Sequence, residues 1–442
     1  MRKKLRFLLL IFSVLLIILV VGFIAVYYEG EKPGVALQED VVVLGKNNTL
    51  NIVLSDKKSG LRNYSVKITQ DGSERTVASS EFATKGHLKE TVTVTIDSQP
   101  LKLHDGKATL EISATDYSLR KNRTIVHIDL PVDITPPRIS PRNASNYMNP
   151  GGSCVTTFAL SEEVKKSGVE INGDFFHAYP VNQASDSYYV CYFAVPLDAS
   201  NNTTKVSIVA EDSAGNVSLR AVPFRVRNKK FRKDNMRIGD TFLERKMPEF
   251  AHVLKDMQGS SLVESFMYIN KEVRADNINK IDSLCRKTSK SQLWKGAFLR
   301  LSNSATMAQF GDRRTYYYKG KVISNSTHLG VDLASTQNAV VEASNRGIIN
   351  FTGDLGIFGN TVIIDHGQGL FSFYAHLNNI TASEGQTVDK GTPIGYTGSS
   401  GLAGGDHLHY GIFVGHKFVN PQEWWDPHWI KDNVERKLNL SS

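Results

Sequence analysis

A chain of 442 residues fits roughly three domains at about 150 residues each. Its 41% apolar and 22% charged composition is that of ordinary globular protein, which excludes a disordered chain, a collagen-like fibre and a many-span membrane protein. The formal charge of +8 is local: residues 1–6 carry four basic side chains, and 225–246 carry nine basic against three acidic. The remainder is slightly acidic, so no nucleic-acid partner is expected.

Residues 7–26 are apolar apart from Ser13 and Gly22. A helix of about twenty residues rises about 30 Å, the thickness of a bilayer's hydrocarbon core. Four cationic residues precede this run, while Tyr27, Tyr28 and Glu29 follow it. The positive-inside bias predicts a cytoplasmic tip (1–6), a single-pass signal anchor (7–28) and an exported remainder. A cleaved signal peptide is the rival, but it calls for a shorter run and a small-x-small exit. Cys154 and Cys191 would suit either a bond between two strands of an exported module or two buried free thiols. Cys285 has no metal-ligand spacing around it and takes no role. A paired-cysteine module and a signal anchor favour an inner membrane facing the periplasm.

Residues 36–228 read as β-structure built twice. Alternating β-branched runs at 50–54, 64–69, 91–96, 110–115 and 124–130 are separated by turn residues. Lys57-Lys58-Ser59-Gly60-Leu61 recurs as Lys165-Lys166-Ser167-Gly168-Val169, and Ile112-x-Ala114-x-Asp116 as Ile208-x-Ala210-x-Asp212. A spacing of about 100 residues suits one immunoglobulin-like sandwich per copy, which places modules at 36–135 and 136–228, with Pro136-Pro137 between them. The turn Asp212-Ser-Ala-Gly-Asn216 precedes a last strand, a pattern that resembles bacterial immunoglobulin-like modules. These modules are expected to serve as spacers or as binding sites for partner proteins. Residues 229–295 read as a basic and helical connector: Phe250, Val253, Leu254, Met257, Leu262, Phe266 and Ile269 carry the helical spacing. The basic run is either a solvated linker face or a contact for anionic lipid or wall polymer.

From Trp294 onward glycines become dense, and β-alternation returns at 347–350, 361–365 and 370–374. Here stand His328-Leu-Gly-Val-Asp332, Tyr374-Ala-His376-Leu377 and His407-Leu-His409. On a strand, His407 and His409 point to the same face. His328 and Asp332 can join them where a short strand meets a loop. Two imidazoles, a carboxylate and a water make a catalytic zinc set, and two histidines then remain for proton transfer and charge stabilisation. Each piece alone is commonplace; the set is not.

The segment 310–425 resembles the M23 family of LytM/lysostaphin-type zinc metallopeptidases. The matching pieces are Phe310-Gly-Asp-Arg313, His328-Leu-Gly-Val-Asp-Leu-Ala334, Ile363-Ile-Asp-His-Gly367, Tyr374-Ala-His-Leu377, Thr397-Gly-Ser-Ser-Gly401, His407-Leu-His-Tyr410 and Val419-Asn-Pro421. The resemblance implies an antiparallel β-sheet groove, one Zn2+ held by His328, Asp332 and His409, and catalytic histidines at His376 and His407. It further implies a metalloendopeptidase acting on peptidoglycan stem or cross-link peptides. Which histidine is the base and which steadies the oxyanion stays open, as does the bond cleaved. The fourteen residues between Arg313 and His328 depart from the family pattern and suggest an inserted hairpin, with Tyr318 as a guess for a transition-state tyrosine. His366, in an Asp-His-Gly turn, is expected to hold a loop.

The expected fold class is therefore mostly β and multidomain: an N-terminal transmembrane helix, two immunoglobulin-like sandwiches, the helical connector, an antiparallel metallopeptidase domain at 296–428 and a tail at 429–442. The first rival function is a catalytically idle or autoinhibited wall-binding scaffold that activates other hydrolases. The second is a zinc hydrolase of non-wall peptides.

Overall fold

The computed structural model describes residues 2–142, 146–183, 186–257 and 259–439. Its chain divides into two compact units, Met1–Pro137 with Glu211–Val217, and Arg138–Ala210 with Ser218–Ser442. The fold is mostly β with one long N-terminal helix.

The first unit opens with helix Arg2–Tyr27, within which Arg6–Ile24 is long and apolar enough to cross a membrane. Strands Gly34–Leu37, Asn47–Ser55 and Lys89–Asp97 form one antiparallel sheet. Ser73–Glu81, Leu61–Gln70, Gly106–Asp116 and Arg123–Val132 form another. Each of the five runs expected from alternation lies inside one of these strands. The reason is visible in the core, where Leu50, Ile52, Leu54, Val66, Ile68, Leu110 and Ile112 point inward and are almost fully buried. The recurring Ile-x-Ala-x-Asp segments end in the same closure. Asp116 accepts from Asn122 N at 2.9 Å and Asn122 Nδ2 at 2.8 Å, and Asp212 accepts from Asn216 N and Nδ2, both at 2.9 Å. The repeat thus marks a carboxylate that ties a loop by satisfying both a backbone and a side-chain donor.

The second unit begins with two four-stranded sheets. One contains Ile139–Pro141, Ser153–Leu160, Asp186–Ala194 and Tyr179–Gln183; the other contains Asp174–His177, Lys166–Ile171, Val206–Glu211 and Val217–Ala221. Cys154 lies opposite Phe193 and Cys191 opposite Thr156, on adjacent strands of one sheet. Both are free and buried, as is Cys285. Cys154 donates to Asn146 Oδ1 and Cys191 to the Phe176 carbonyl, each at 3.3 Å. The free-thiol reading is the one this structure adopts.

The connector differs from a helical linker. Part of its basic run forms strand Lys233–Arg237, which pairs in parallel with Arg313–Tyr318. Helix Asp240–Lys246 follows, then helix Leu262–Tyr268, a π-helical turn at Ile269–Val273 and helix Arg274–Leu284. Helix Leu262–Tyr268 starts at a complete capping box, Ser261 with Glu264, which satisfies two orphan backbone donors.

Beyond the connector, an antiparallel sheet runs in the order Ala305–Ala308, Val331–Ala334, Leu408–Val414, Leu370–Leu377, Asn360–Asp365, Gly347–Asp354, Thr387–Val388. Its two central strands, Leu370–Leu377 and Leu408–Val414, are buried at every position. They therefore read as continuous apolar runs with embedded histidines. One apolar core joins Phe158 and Phe193 of the four-stranded sheets to Trp294, Phe371 and Trp424. Trp424 is fully buried, with ring centroids of Trp294 and Phe298 at 5.5 and 5.4 Å.

Beside it, Glu423 accepts from Asn149 Nδ2 at 2.7 Å and Ser153 N at 2.6 Å. Burial pushes its pKa up from 4.5 to about 7, against the pull of those hydrogen bonds. The folded chain then holds the proton to about pH 7, whereas the unfolded chain releases it near 4.5. Stability from this group is therefore greatest below the unfolded pKa and declines as pH rises between the two values. Glu423→Gln is expected to remove that part of the slope, on the order of 2–3 kcal/mol. Denaturant unfolding of both proteins from pH 4 to 8, followed by tryptophan fluorescence, checks this.

Candidate active site

The site is set by strand register. Asp332 on Val331–Ala334 sits directly opposite His409 on Leu408–Val414, and Ala375 of Leu370–Leu377 sits opposite His409 on its other side. His328 lies just ahead of the first of these strands and is held by the Phe310-Gly311-Asp312 segment. Its backbone N–H donates to the Asp312 carbonyl at 2.9 Å, and its carbonyl accepts from Gly311 N at 2.8 Å. Its Nδ1–H donates to the Gln309 carbonyl at 2.9 Å. That bond fixes the tautomer and leaves Nε2 with a lone pair.

Three donor atoms converge. His328 Nε2 is 2.9 Å from Asp332 Oδ1 and 3.0 Å from His409 Nδ1, and His409 Nδ1 is 2.9 Å from the same Asp332 oxygen. All three residues are buried. Ligands about 2.0–2.1 Å from a tetrahedral zinc lie roughly 3.3 Å apart, so the triangle is close to one face of such a tetrahedron. The donor set of two imidazoles and one carboxylate also fits zinc. Gly330 makes room for it: a Cβ there would stand 2.6 Å from His409 Nε2. Arg314 donates through Nη2 to the other Asp332 oxygen at 2.8 Å, orienting the carboxylate from behind. Burial opposes ionisation of Asp332, but the electrostatic pull of the neighbouring His328 ring, and then the facing nitrogens of His328, His407 and His409, outweigh it. Its pKa is held well below the usual value. Burial drives His409 in the opposite sense, down to about 4, so its ring is neutral as a ligand must be.

Two more histidines reach the same place. His376 has a left-handed backbone, φ +62, an uncommon conformation for a residue with a side chain that concentrates at functional sites. Its Nδ1 donates to the Ser400 carbonyl at 2.9 Å, and His407 Nδ1 donates to the Gly405 carbonyl at 2.8 Å. The two rings are 4.9 Å apart. Burial, then the neighbouring His407 and His409 rings, depress the pKa of His376 well below its ordinary value. Burial acts likewise on His407, but the Asp332 carboxylate, 3.6 Å from its Nε2, prevails and its pKa is raised.

The five histidine and aspartate side chains line a groove of about 570 Å³. Tyr316 lines it too, whereas the hydroxyl of Tyr318 donates to Asp240 Oδ1 at 2.6 Å. The tyrosine guessed from sequence is thus directed to the connector, and its neighbour two residues earlier faces the groove. Both belong to the inserted hairpin, Arg313–Tyr318 and Lys321–Thr327, turning at Lys319-Gly320 with φ of +47 and +81. That is the geometry of a two-residue type I′ loop. His366 is fully buried, bonded to the Arg346 carbonyl at 2.8 Å and Ser372 Oγ at 2.7 Å, and holds its loop.

The other groove wall comes from the connector: Asp234, Met236, Phe242, Phe266 and Arg274. Arg274 is tied through Nε to the Asn270 carbonyl at 3.1 Å and through Nη2 to Asn270 Oδ1 at 2.7 Å. Among the described residues no carboxylate pairs with it. Arg245 donates to the Gly404 carbonyl at 3.0 Å, and Lys246 to the Ser399 carbonyl at 2.6 Å. These bonds fasten helix Asp240–Lys246 to the loop beside the histidines. Sequence reading missed Arg314, Arg274 and this helix contact, because all depend on pairings between segments that no local pattern announces.

Residues 326–421 match the peptidase family M23 model. The chain carries an M23 peptidase domain. Over 94 residues it is 43% identical to the DD-carboxypeptidase/endopeptidase Mpg of Neisseria meningitidis, covering 21% of this chain and 22% of that protein. Over 113 residues it is 34% identical to the peptidoglycan DD-endopeptidase ShyA of Vibrio cholerae, covering 26% of each. The chain therefore matches about a quarter of the length of these curated relatives. A crystal structure of an M23 peptidase candidate from Pseudomonas aeruginosa covers 63% of this chain and 94% of its own, at 18% identity and a TM-score of 0.40.

Zinc content per purified chain tests the arrangement of the M23 site. His409→Ala and Asp332→Ala are expected to lose the metal, and His376→Ala to keep it. Arg314→Gln, which removes only support from behind Asp332, is expected to weaken zinc affinity about 10–100-fold, read by competition with a chelator.

Proposed function

We propose that this chain is a membrane-anchored zinc metalloendopeptidase that hydrolyses peptide bonds in peptidoglycan stem or cross-link peptides. The carrying observation is the 2.9–3.0 Å triangle of His328, Asp332 and His409 donor atoms within an M23 domain. The relatives named as a DD-endopeptidase and a DD-carboxypeptidase/endopeptidase support the substrate class. His328, Asp332 and His409 would hold one zinc, which supplies Lewis-acid polarisation of the scissile carbonyl and a lowered water pKa. His376 and His407 each have Nδ1 tied to a backbone carbonyl, so each keeps Nε2 for a proton. Between them they would take the proton released on attack and steady the developing charge. The apolar N-terminal helix would anchor the chain in the inner membrane, N-terminus cytoplasmic, with the M23 domain in the periplasm. The β-modules would space it or meet wall-synthesis partners.

Digestion of purified sacculi, read by muropeptide mass, is the test. The zinc-loaded chain is expected to remove cross-linked dimers. His376→Ala should be slower by at least about 10²-fold, and chelation should abolish the reaction. An unchanged muropeptide profile with zinc-loaded protein would reject the freely active enzyme and leave the inhibited enzyme or the activator of other hydrolases.

One observation favours the rival of an inhibited enzyme: the bonds from Arg245 and Lys246 to the loop beside the groove. If that helix restrains access, the double variant Arg245→Ala, Lys246→Ala raises the initial rate on sacculi. If the helix only builds the wall, the rate falls or stays.

Arg274 bears on the substrate. A guanidinium in the groove wall without a carboxylate partner suits a carboxylate on the peptide. Stem peptides ending in a free acid are expected to be cut about tenfold or more faster than their C-terminal amides. Arg274→Gln should shrink that ratio towards one.

A further inference from the structure

Outside the M23 groove, the two recurring sequence motifs of the first unit meet at a buried cluster of acids. Glu29, Asp56 and Asp116 each bring a carboxylate oxygen within 4.8 Å of the other two, and all three residues are buried, at 1%, 7% and 0% exposure. Asp56 immediately precedes the Lys57-Lys58-Ser59-Gly60-Leu61 motif, and Asp116 closes the Ile112-x-Ala114-x-Asp116 motif. Glu29 lies two residues beyond the end of the N-terminal helix at Tyr27.

The hydrogen bonds around the cluster leave a specific remainder. Asp56 Oδ1 accepts from Lys58 N at 3.0 Å and Gly60 N at 2.7 Å. Glu29 Oε2 accepts from Ser59 N at 3.1 Å. Asp116 Oδ1 accepts from Ser118 N and Oγ and from Asn122 N, at 3.1, 2.7 and 2.9 Å, while its Oδ2 accepts from Asn122 Nδ2 at 2.8 Å. Glu29 Oε1, Asp56 Oδ2 and Ser59 Oγ are left buried with no partner. Among the described residues no lysine, arginine or histidine forms an ion pair with any of the three carboxylates. Three carboxyl groups buried together without a basic partner are costly. An orphaned buried oxygen adds to that cost. Here three such oxygens belong to the cluster and to the serine bonded to it.

We propose that Glu29, Asp56 and Asp116, with Ser59 Oγ, bind a calcium ion. An all-oxygen, carboxylate-rich set selects a hard cation rather than zinc. Calcium accepts irregular shells of six to eight oxygens, whereas magnesium requires a near-ideal octahedron. Sites in modules outside the cytosol bind calcium at about 10⁻⁴–10⁻³ M. The ion would fasten the segment leaving the helix to the Asp56–Gly60 and Asp116–Asn122 loops. With calcium bound, the first sandwich and the base of the anchor would move as one piece; without it, the Glu29 segment is held by fewer bonds.

The test uses the full-length, zinc-loaded chain in detergent, stripped of calcium. Titration calorimetry with Ca2+ is expected to show one site with a dissociation constant of about 10⁻⁴–10⁻³ M, absent in Asp56→Asn and in Glu29→Gln. Hydrogen exchange supplies a second reading that needs no variant: the amides of Ser59 and of residues 29–31 should exchange about tenfold more slowly in 5 mM Ca2+ than without it, as about tenfold occupancy over the dissociation constant implies. No calcium heat at 5 mM with unchanged exchange at these amides would overturn the proposal. So would equal binding by the two variants, or Mg2+ matching Ca2+ in affinity.

Discussion

The pairing of Val331–Ala334 with Leu408–Val414 puts Asp332 opposite His409. A slip of one residue would turn one of the two to the other face of the sheet. Everything else at the site adjusts to that register. The His328 loop is pinned to the Phe310-Gly311-Asp312 segment by bonds in both directions, and Gly330 clears the space that the His409 ring occupies. The neighbouring strand Leu370–Leu377 uses the same sheet to deliver His376 at its end, where the backbone takes a left-handed turn. The groove is a consequence of sheet geometry, and its chemistry follows from which residues stand at the ends and crossings of three strands.

Much of this was legible before the structure. His407 and His409 are two apart, and in extended backbone that spacing puts both into one site; His407 stands one residue ahead of the central strand that carries His409. Strands expected at 361–365 and 370–374 from β-alternation are there, yet those residues are buried on both faces, so no exposed face alternates with the core. The inserted hairpin announced itself through Lys319-Gly320. What stayed hidden depends on contact between segments far apart in the chain. Arg314 and Arg274 are ordinary basic residues until one meets Asp332 and the other the groove. Tyr316 and Tyr318 cannot be told apart in a run of three tyrosines, because strict alternation would put both on one face; the irregularity in the pairing between Tyr316 and Tyr317 separates them. The basic run at 225–246 reads as a solvated face or a contact for anionic lipid or wall polymer, and eight of its nine basic residues are exposed. Lys246 is the exception at 2% exposure, bonded to Glu249 and to a loop carbonyl. Charge predicts exposure only where no partner waits.

Buried carboxylates are the recurring currency of this molecule, and each is settled differently. Asp332 is matched by imidazoles and a guanidinium. Asp212 is matched by both donors of one asparagine. Glu423 has two amide donors, which do not fully compensate its burial, so it keeps its proton to about pH 7. Glu29 and Asp56 retain oxygens with no donor at all. Ranking these sites by how completely the protein satisfies them separates structural acids from those that await a partner, a distinction that residue type alone does not make.

The shared core of the second unit bears on how the molecule could be dissected. The M23 match ends at residue 421, yet Glu423 takes its hydrogen bonds from Asn149 and Ser153, and Trp424 Nε1 donates to Ser153 Oγ at 2.9 Å. A soluble fragment cut at residue 229 would strip those donors away and leave a tryptophan cluster facing water. For expression, crystallisation or phage display, the natural excision point lies well upstream of the peptidase signature, since the compact unit that contains it is about three times as long as the matched stretch.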